Sequence, residues 1–300
     1  MEPILGGGFE LRYVKLIDSM KSFLMYWREY SGGSPEEMFS GWLTAYISNF
    51  PEFLIFETSY WRGLERLGRR MIEKVFPRLD ELIHDLIEAW MNFLQNVDQV
   101  CMLASEKLRF RKPPIIGIYV GSGWKSRLVS SILDEPMLFI DLGGLASLGW
   151  IGEREVRSAI AFGLGQLHHA IARGGVKELE RLESDPFAML YVQGYAQFLE
   201  NLILGAESWH GLGEGWLEKC EEREADLAEI YLEAAERGRV GEFYDPEGEV
   251  AGLKLPGRYL GYRLVSRLRE RGMSLMEISS LPEERVRRIS EDFLRRMAGR

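Results

Sequence analysis

Apolar residues recur at intervals of three and four through Leu79, Leu82, Ile83, Leu86, Trp90, Phe93 and Leu94. That spacing lines one face of a helix packed against a core. Upstream, Ser34-Pro35-Glu36-Glu37 predicts a helix start, with Ser34 as cap, Pro35 in the first turn and Glu37 closing a capping box. Pro51 and Pro77 punctuate later helices. From about Phe9 to Phe110 the chain reads as almost wholly helical and rich in Trp, Tyr, Phe and Met. The texture changes at Arg111-Lys112-Pro113-Pro114. Residues 115–120 and 136–142 then read as strands, with glycines and small polar residues between them. Helical patterns return over 153–173, 186–204, 215–237, 259–271 and 282–297, and residues 205–256 include a Gly- and Glu-rich excursion. Many helices around a small central sheet predict a predominantly helical α+β chain and no βαβ alternation. The expected division is a helical N-terminal region, 1–111, and a second domain, 112–300.

Composition narrows the partners. The 300 residues suffice for one large domain or two ordinary ones, and 46% hydrophobic with 28% charged residues fits a soluble globular protein. A net charge of −9 argues against general nucleic-acid binding, which needs a basic footprint. Cys101 and Cys220 are too few for a disulfide framework and read as buried, reduced thiols. No positively charged segment followed by an apolar run opens the sequence, and no run of about 18 apolar residues occurs. A cytoplasmic protein with no membrane partner is the expectation. Frequent Arg and Glu with little Asn and Gln hint at a thermophilic source.

The chemistry-bearing stretch is Gly165-Gln166-Leu167-His168-His169. In an H-E-x-x-H helix, two histidines four apart hold Zn²⁺ on one face and the glutamate activates the metal-bound water. Here Gly165 stands at the first histidine position, Gln166 at the glutamate, and His169 alone remains. Downstream, Gln193-Gly194-Tyr195-Ala196 is similar to the E-G-[LY]-A glutamate helix of gluzincin metallopeptidases, with Gln193 at the third ligand position. Tyr259-Leu260-Gly261-Tyr262 and Ser274-Leu275-Met276-Glu277 resemble the C-terminal helices of predicted zinc-dependent proteases of that class. The resemblance spans roughly residues 113–300 and rests on the order of motifs that are each weak alone. It implies a gluzincin-like metallopeptidase domain whose zinc centre is gone. The same letters also suit an ordinary helix whose histidines pack or touch solvent.

The departures bear on function. Gly165 supplies no ligand atom, Gln166 cannot accept a proton at neutral pH, and Gln193 offers only a neutral amide. Glutamines in place of glutamates keep the shape and remove the charge, so the helices can still pack. No catalytic residue, metal or other cofactor is therefore expected, and Gly165, Gln166, His169 and Gln193 are read as vestigial positions. The expected role is an inactive, metallopeptidase-like protein that binds a peptide or protein or serves as a scaffold, taking an extended segment along the edge of the 136–142 strand. The alternative is a metal-dependent hydrolase with zinc in a rebuilt site of His169, Glu200 and His210. A third reading is a homo-oligomer assembled through the aromatic N-terminal helices.

Two further stretches read as structural. Gly121-Ser122-Gly123-Trp124-Lys125-Ser126 departs from a phosphate-binding P-loop, since Trp124 replaces the glycine before the lysine, and is expected to be a turn. Arg258 to Arg300 contains eleven arginines, six carboxylates and no lysine, which predicts a solvated helix face with ion pairs.

Overall fold

The computed structural model describes residues 8–123, 129–132, 135–205, 212 and 215–300. Two compact units divide at Ile160/Ala161. The expected boundary near Arg111 falls inside the first unit, because a sheet joins the chain on both sides of it.

That sheet has five strands: β1 (Gly8–Glu10), β2 (Lys15–Asp18), β3 (Ile115–Tyr119), β4 (Val129–Ile132) and β5 (Glu135–Asp141). Their order is β1-β2-β3-β5-β4. β2, β3 and β5 run parallel, whereas β1 and β4 pair antiparallel with β2 and β5. Strands inside a parallel sheet are buried on both faces and read as unbroken apolar runs. Ile116, Ile118, Leu138, Phe139 and Ile140 fit this, each at most 1% exposed. The two N-terminal strands depart from the helical reading of this region. β2 is only four residues long, and its partner β3 lies a hundred positions on, out of reach of local periodicity. Strand β5 has partners on both sides, so its edge cannot take an extended peptide as the sequence suggested. Its ladder groups already face β3 and β4.

Around the sheet lie α1 (Met20–Tyr30), α2 (Pro35–Gly41), α3 (Pro51–Tyr60), α4 (Leu64–Arg70), α5 (Phe76–Leu108) and α6 (Leu142–Ser147). Two π-helical turns, Trp42–Tyr46 and Met71–Val75, interrupt the α-helical run. The capping box at Ser34 and Glu37 is formed as the sequence predicts. The core of this unit is aromatic: Phe53 stacks on Tyr119 at 4.6 Å and Phe56 on Phe139 at 4.3 Å.

Helix α7 (Glu153–Ala172) begins in the first unit and enters the second, which adds α8 (Val176–Glu183), α9 (Pro186–Leu204), α10 (Trp216–Glu222), α11 (Glu224–Glu236), α12 (Pro256–Glu270), α13 (Leu275–Ser279) and α14 (Glu283–Met297). No strand longer than a single bridge occurs among its described residues. Asp185 caps α9 by accepting the amides of Phe187 and Ala188. On α14 the arginines lie outside and Val286, Phe293 and Leu294 inside, with Arg295 bonded to Glu291 at 2.7 Å. Among the described residues no helix is long and apolar enough to cross a membrane. Both cysteines are free and buried, and burial pushes the Cys220 thiol up to about 12.

Candidate functional site

The Gly-Gln-Leu-His-His stretch lies on the last three turns of α7, and its i, i+4 pair faces α9. At Gly165 the helices approach so closely that a Cβ would sit 2.8 Å from the Ala196 carbonyl oxygen and 3.0 Å from its Cα. Any side chain here, histidine included, would drive the backbones apart. One turn on, His169 is fully buried between Tyr191 and Tyr195, with ring centroids at 5.2 and 4.4 Å.

His169 is held as a neutral imidazole. Arg173 donates from Nε to its Nε2 at 3.0 Å, and a guanidinium can only donate, so the ring proton resides on Nδ1. Nδ1 makes no well-formed hydrogen bond, although the backbone of Ser279 lies near enough to favour the charged ring slightly. Burial first, then the charge of Arg173, holds this histidine well below the usual imidazole range. Arg173 is itself anchored, donating to the Leu281 carbonyl at 2.7 Å and lying over the Tyr191 ring at 5.6 Å. His168 points to the other side of Tyr195, its Nδ1 3.1 Å from the phenol oxygen.

The remaining expected positions scatter. Gln193 donates to Glu183 at the end of α8, at 3.0 Å, and shares no partner with His169. Gln166 is buried, with no hydrogen bond to its Oε1 among the described residues. Glu200 accepts from Gln197 at 2.9 Å, and its charge acts on the buried guanidinium of Arg258, which burial alone lowers. That guanidinium covers the Phe162 ring at 4.1 Å, so Glu200 serves as its counter-charge. His210 lies outside the described residues. Among those residues, no three His, Cys, Asp or Glu side chains converge as a metal ion would require.

Helices α9 and α12 meet at one close crossing. A Cβ on Gly194 of α9 would fall 2.1 Å from the Gly261 carbonyl carbon, and one on Gly261 would fall 2.3 Å from the Leu190 carbonyl oxygen. Both glycines are therefore read by their lack of a side chain.

A polar cluster that the sequence did not single out occupies the first unit, where the parallel strands end. Beyond β3 the chain turns through Val120–Gly123, and nearly every group of that turn is tied down. Gly121 and Gly123 donate to Asp141 at 2.9 and 2.8 Å, Ser122 donates to Glu57 at 3.2 Å, and Val120 donates to the Tyr46 hydroxyl at 2.9 Å. Trp42 Nε1 donates to the Val120 carbonyl and Tyr119 to Glu57, at 3.1 and 2.8 Å. Gly143, at the start of α6, adds a third amide on Asp141. A phosphate-binding loop must aim free amides at its ligand. Here the amides of residues 121–123 are consumed by carboxylates, so this turn is not such a cradle. It leads from β3 to β4, which are separated in the sheet by β5; Trp124, Lys125 and Ser126 lie outside the described residues.

Glu57 and Asp141 are both nearly inaccessible, at 2% and 6%. Burial, reinforced by the charge of Asp141, pushes Glu57 up to about 7. Burial raises Asp141 also, against the glycine amides that hold it down. In the sequence, Glu57 is an acid directly after the apolar run Phe53–Phe56, and Asp141 ends another such run before two glycines. Those are the only local marks of the pair.

A pH dependence follows. Glu57 binds its proton more tightly folded than unfolded, so this stabilisation is complete below about 4.5 and is lost as pH rises towards 7. The expected loss is on the order of 3 kcal/mol, since one unit of pKa is worth about 1.4 kcal/mol. Denaturant midpoints measured from pH 4.5 to 8 should fall, and Glu57→Gln should flatten the curve. Parallel curves for the two proteins would show that Glu57 titrates normally.

No protein-family model, curated protein or solved structure matches this chain.

Proposed function

We propose that this chain is a binding protein without hydrolytic metal chemistry, related by the order of its motifs to gluzincin-type peptidases. One observation carries the chemical half of the reading: the single ring lone pair of His169 is already engaged by Arg173. Its Nε2 accepts from Arg173 and its Nδ1 carries the proton. A cation at this nitrogen would also displace a guanidinium anchored at two further points. The packing at Gly165 supports the same reading, since a second histidine ligand has no room there. The kinship is supported by the motif order on α7, α9 and α12, with glutamine at both positions where the family carries a catalytic or ligating glutamate.

Zinc analysis of protein purified without chelator, then of protein incubated with excess zinc and desalted, tests this. The expected result is substoichiometric zinc that His169→Ala leaves unchanged, with no hydrolysis of an unstructured protein substrate such as casein. Stoichiometric zinc that disappears in His169→Ala would establish the rival hydrolase.

A further inference from the structure

The first unit carries a cleft whose charge opposes that of the chain. Its volume is about 850 Å³, within the range of small-ligand sites, and it is lined by Arg62, Arg66, Arg69, Arg70 and Lys74 with Glu73 as the one carboxylate. Five cations are gathered here by a protein of net charge −9. Arg66 and Arg70, and Arg70 and Lys74, stand four apart, a placement that sets like charges against one another unless an anion lies between them. Arg69 has Glu65 at 3.3 Å, but among the described residues Arg62, Arg66 and Lys74 have no carboxylate partner.

The wall of the cleft is fixed. Arg70 lies over the Trp61 ring at 6.0 Å and donates from Nε to the Ser122 carbonyl at 3.4 Å. The Trp61 indole donates to the Ser122 hydroxyl at 3.0 Å. Both side chains are thereby braced on the turn that Glu57 and Asp141 hold in place. Two backbone departures bound the cationic stretch. Arg62 adopts φ of 55°, a left-handed conformation unusual for a side chain of its size, and a π-helical turn begins at Met71 directly after Arg70. Strain and π-turns of this kind concentrate where a site must be presented.

We infer that this cleft binds a small molecule carrying two or more phosphate groups. Arginine forks match phosphate oxygens two at a time, and several unpaired cations in one cleft call for more than a single anionic charge. The volume suits a small ligand, and the acidity of the whole chain opposes a nucleic-acid backbone extending beyond the cleft. The inference is independent of the reading of α7.

Calorimetric titration of the full chain with inorganic tripolyphosphate at low ionic strength tests it. One equivalent should bind, at least about tenfold more tightly than orthophosphate and more weakly as salt rises. Arg66→Gln/Lys74→Gln should weaken tripolyphosphate at least about tenfold while leaving the circular dichroism spectrum unchanged, because both side chains are exposed. No binding of tripolyphosphate, or equal binding by a folded double variant, would overturn the inference. A single-stranded oligonucleotide that outcompetes tripolyphosphate would replace it with a nucleic-acid surface.

Discussion

Gly194→Ala is expected to destabilise the C-terminal unit by about 3 kcal/mol or more, the upper end of what an added methyl does in a filled interior. Helix propensity predicts the opposite sign, since alanine in a helix interior is favoured over glycine by about 1 kcal/mol. The contest is decided by what the methyl would meet. Its nearest neighbours are the carbon, oxygen and Cα of Gly261, at 2.1, 2.2 and 2.4 Å, which are backbone atoms of α12 and cannot rotate away. Only a separation of α9 from α12 relieves the clash, and that would open the crossing where Phe198 also stacks on Tyr262 at 6.1 Å. Gly165→Ala should cost less, because its clash with Ala196 is milder, at 2.8 Å. Chemical denaturation of the variants reads the order directly. An increase in stability for Gly194→Ala would mean that the helices do not cross so closely.

Asp141→Ala should cost about 4 kcal/mol and weaken the pH dependence carried by Glu57. Three backbone amides, from Gly121, Gly123 and Gly143, lose their acceptor, and each buried donor left unmatched costs about 1–3 kcal/mol. The loss is partly offset because Glu57 no longer faces a second buried carboxylate, so its proton affinity falls back towards the ordinary range. Urea titrations at pH 5 and pH 8 separate the two effects. A midpoint near that of the parent at both values would show that the Val120–Gly123 turn is held by other contacts. Since Arg70 and Trp61 lean on Ser122, the same variant should also disorder the wall of the basic cleft.

The longer helices after residue 150 were legible because their signals are local, whereas α8 and the break between α10 and α11 were not anticipated. Apolar spacing of three and four marks α7, α9, α12 and α14, and Asp185-Pro186 announces the start of α9. The apolar runs gave β3 and β5 to within one residue. The short elements escaped for a physical reason. β2 has two apolar residues between Lys15 and Asp18, and only pairing with β1 and β3 makes it a strand. The interior position of β5 depends likewise on where β4 lies, which no feature of its own seven residues encodes.

At α7 the sequence shows a glycine four residues before His169, but not why glycine is required there: the backbone of Ala196 occupies the space. A histidine in the sequence carries no record of its proton, and Arg173 at 3.0 Å assigns it. The cationic residues from Arg62 to Lys74 are plain to read, yet as a run of helix they suit any solvated face. Residues 59–74 line the cleft by themselves, and what folding adds is the brace on its wall from Ser122, fifty-two positions after Arg70. The sequence by itself determined most of the longer helices, the two central strands and the charge, because each depends on residue type and near-neighbour spacing. The tertiary structure alone decided the sheet order, the shared burial of Glu57 and Asp141, the tautomer of His169 and the bracing of the cleft. Each of these depends on clearance or a hydrogen bond between residues that the chain brings together only on folding.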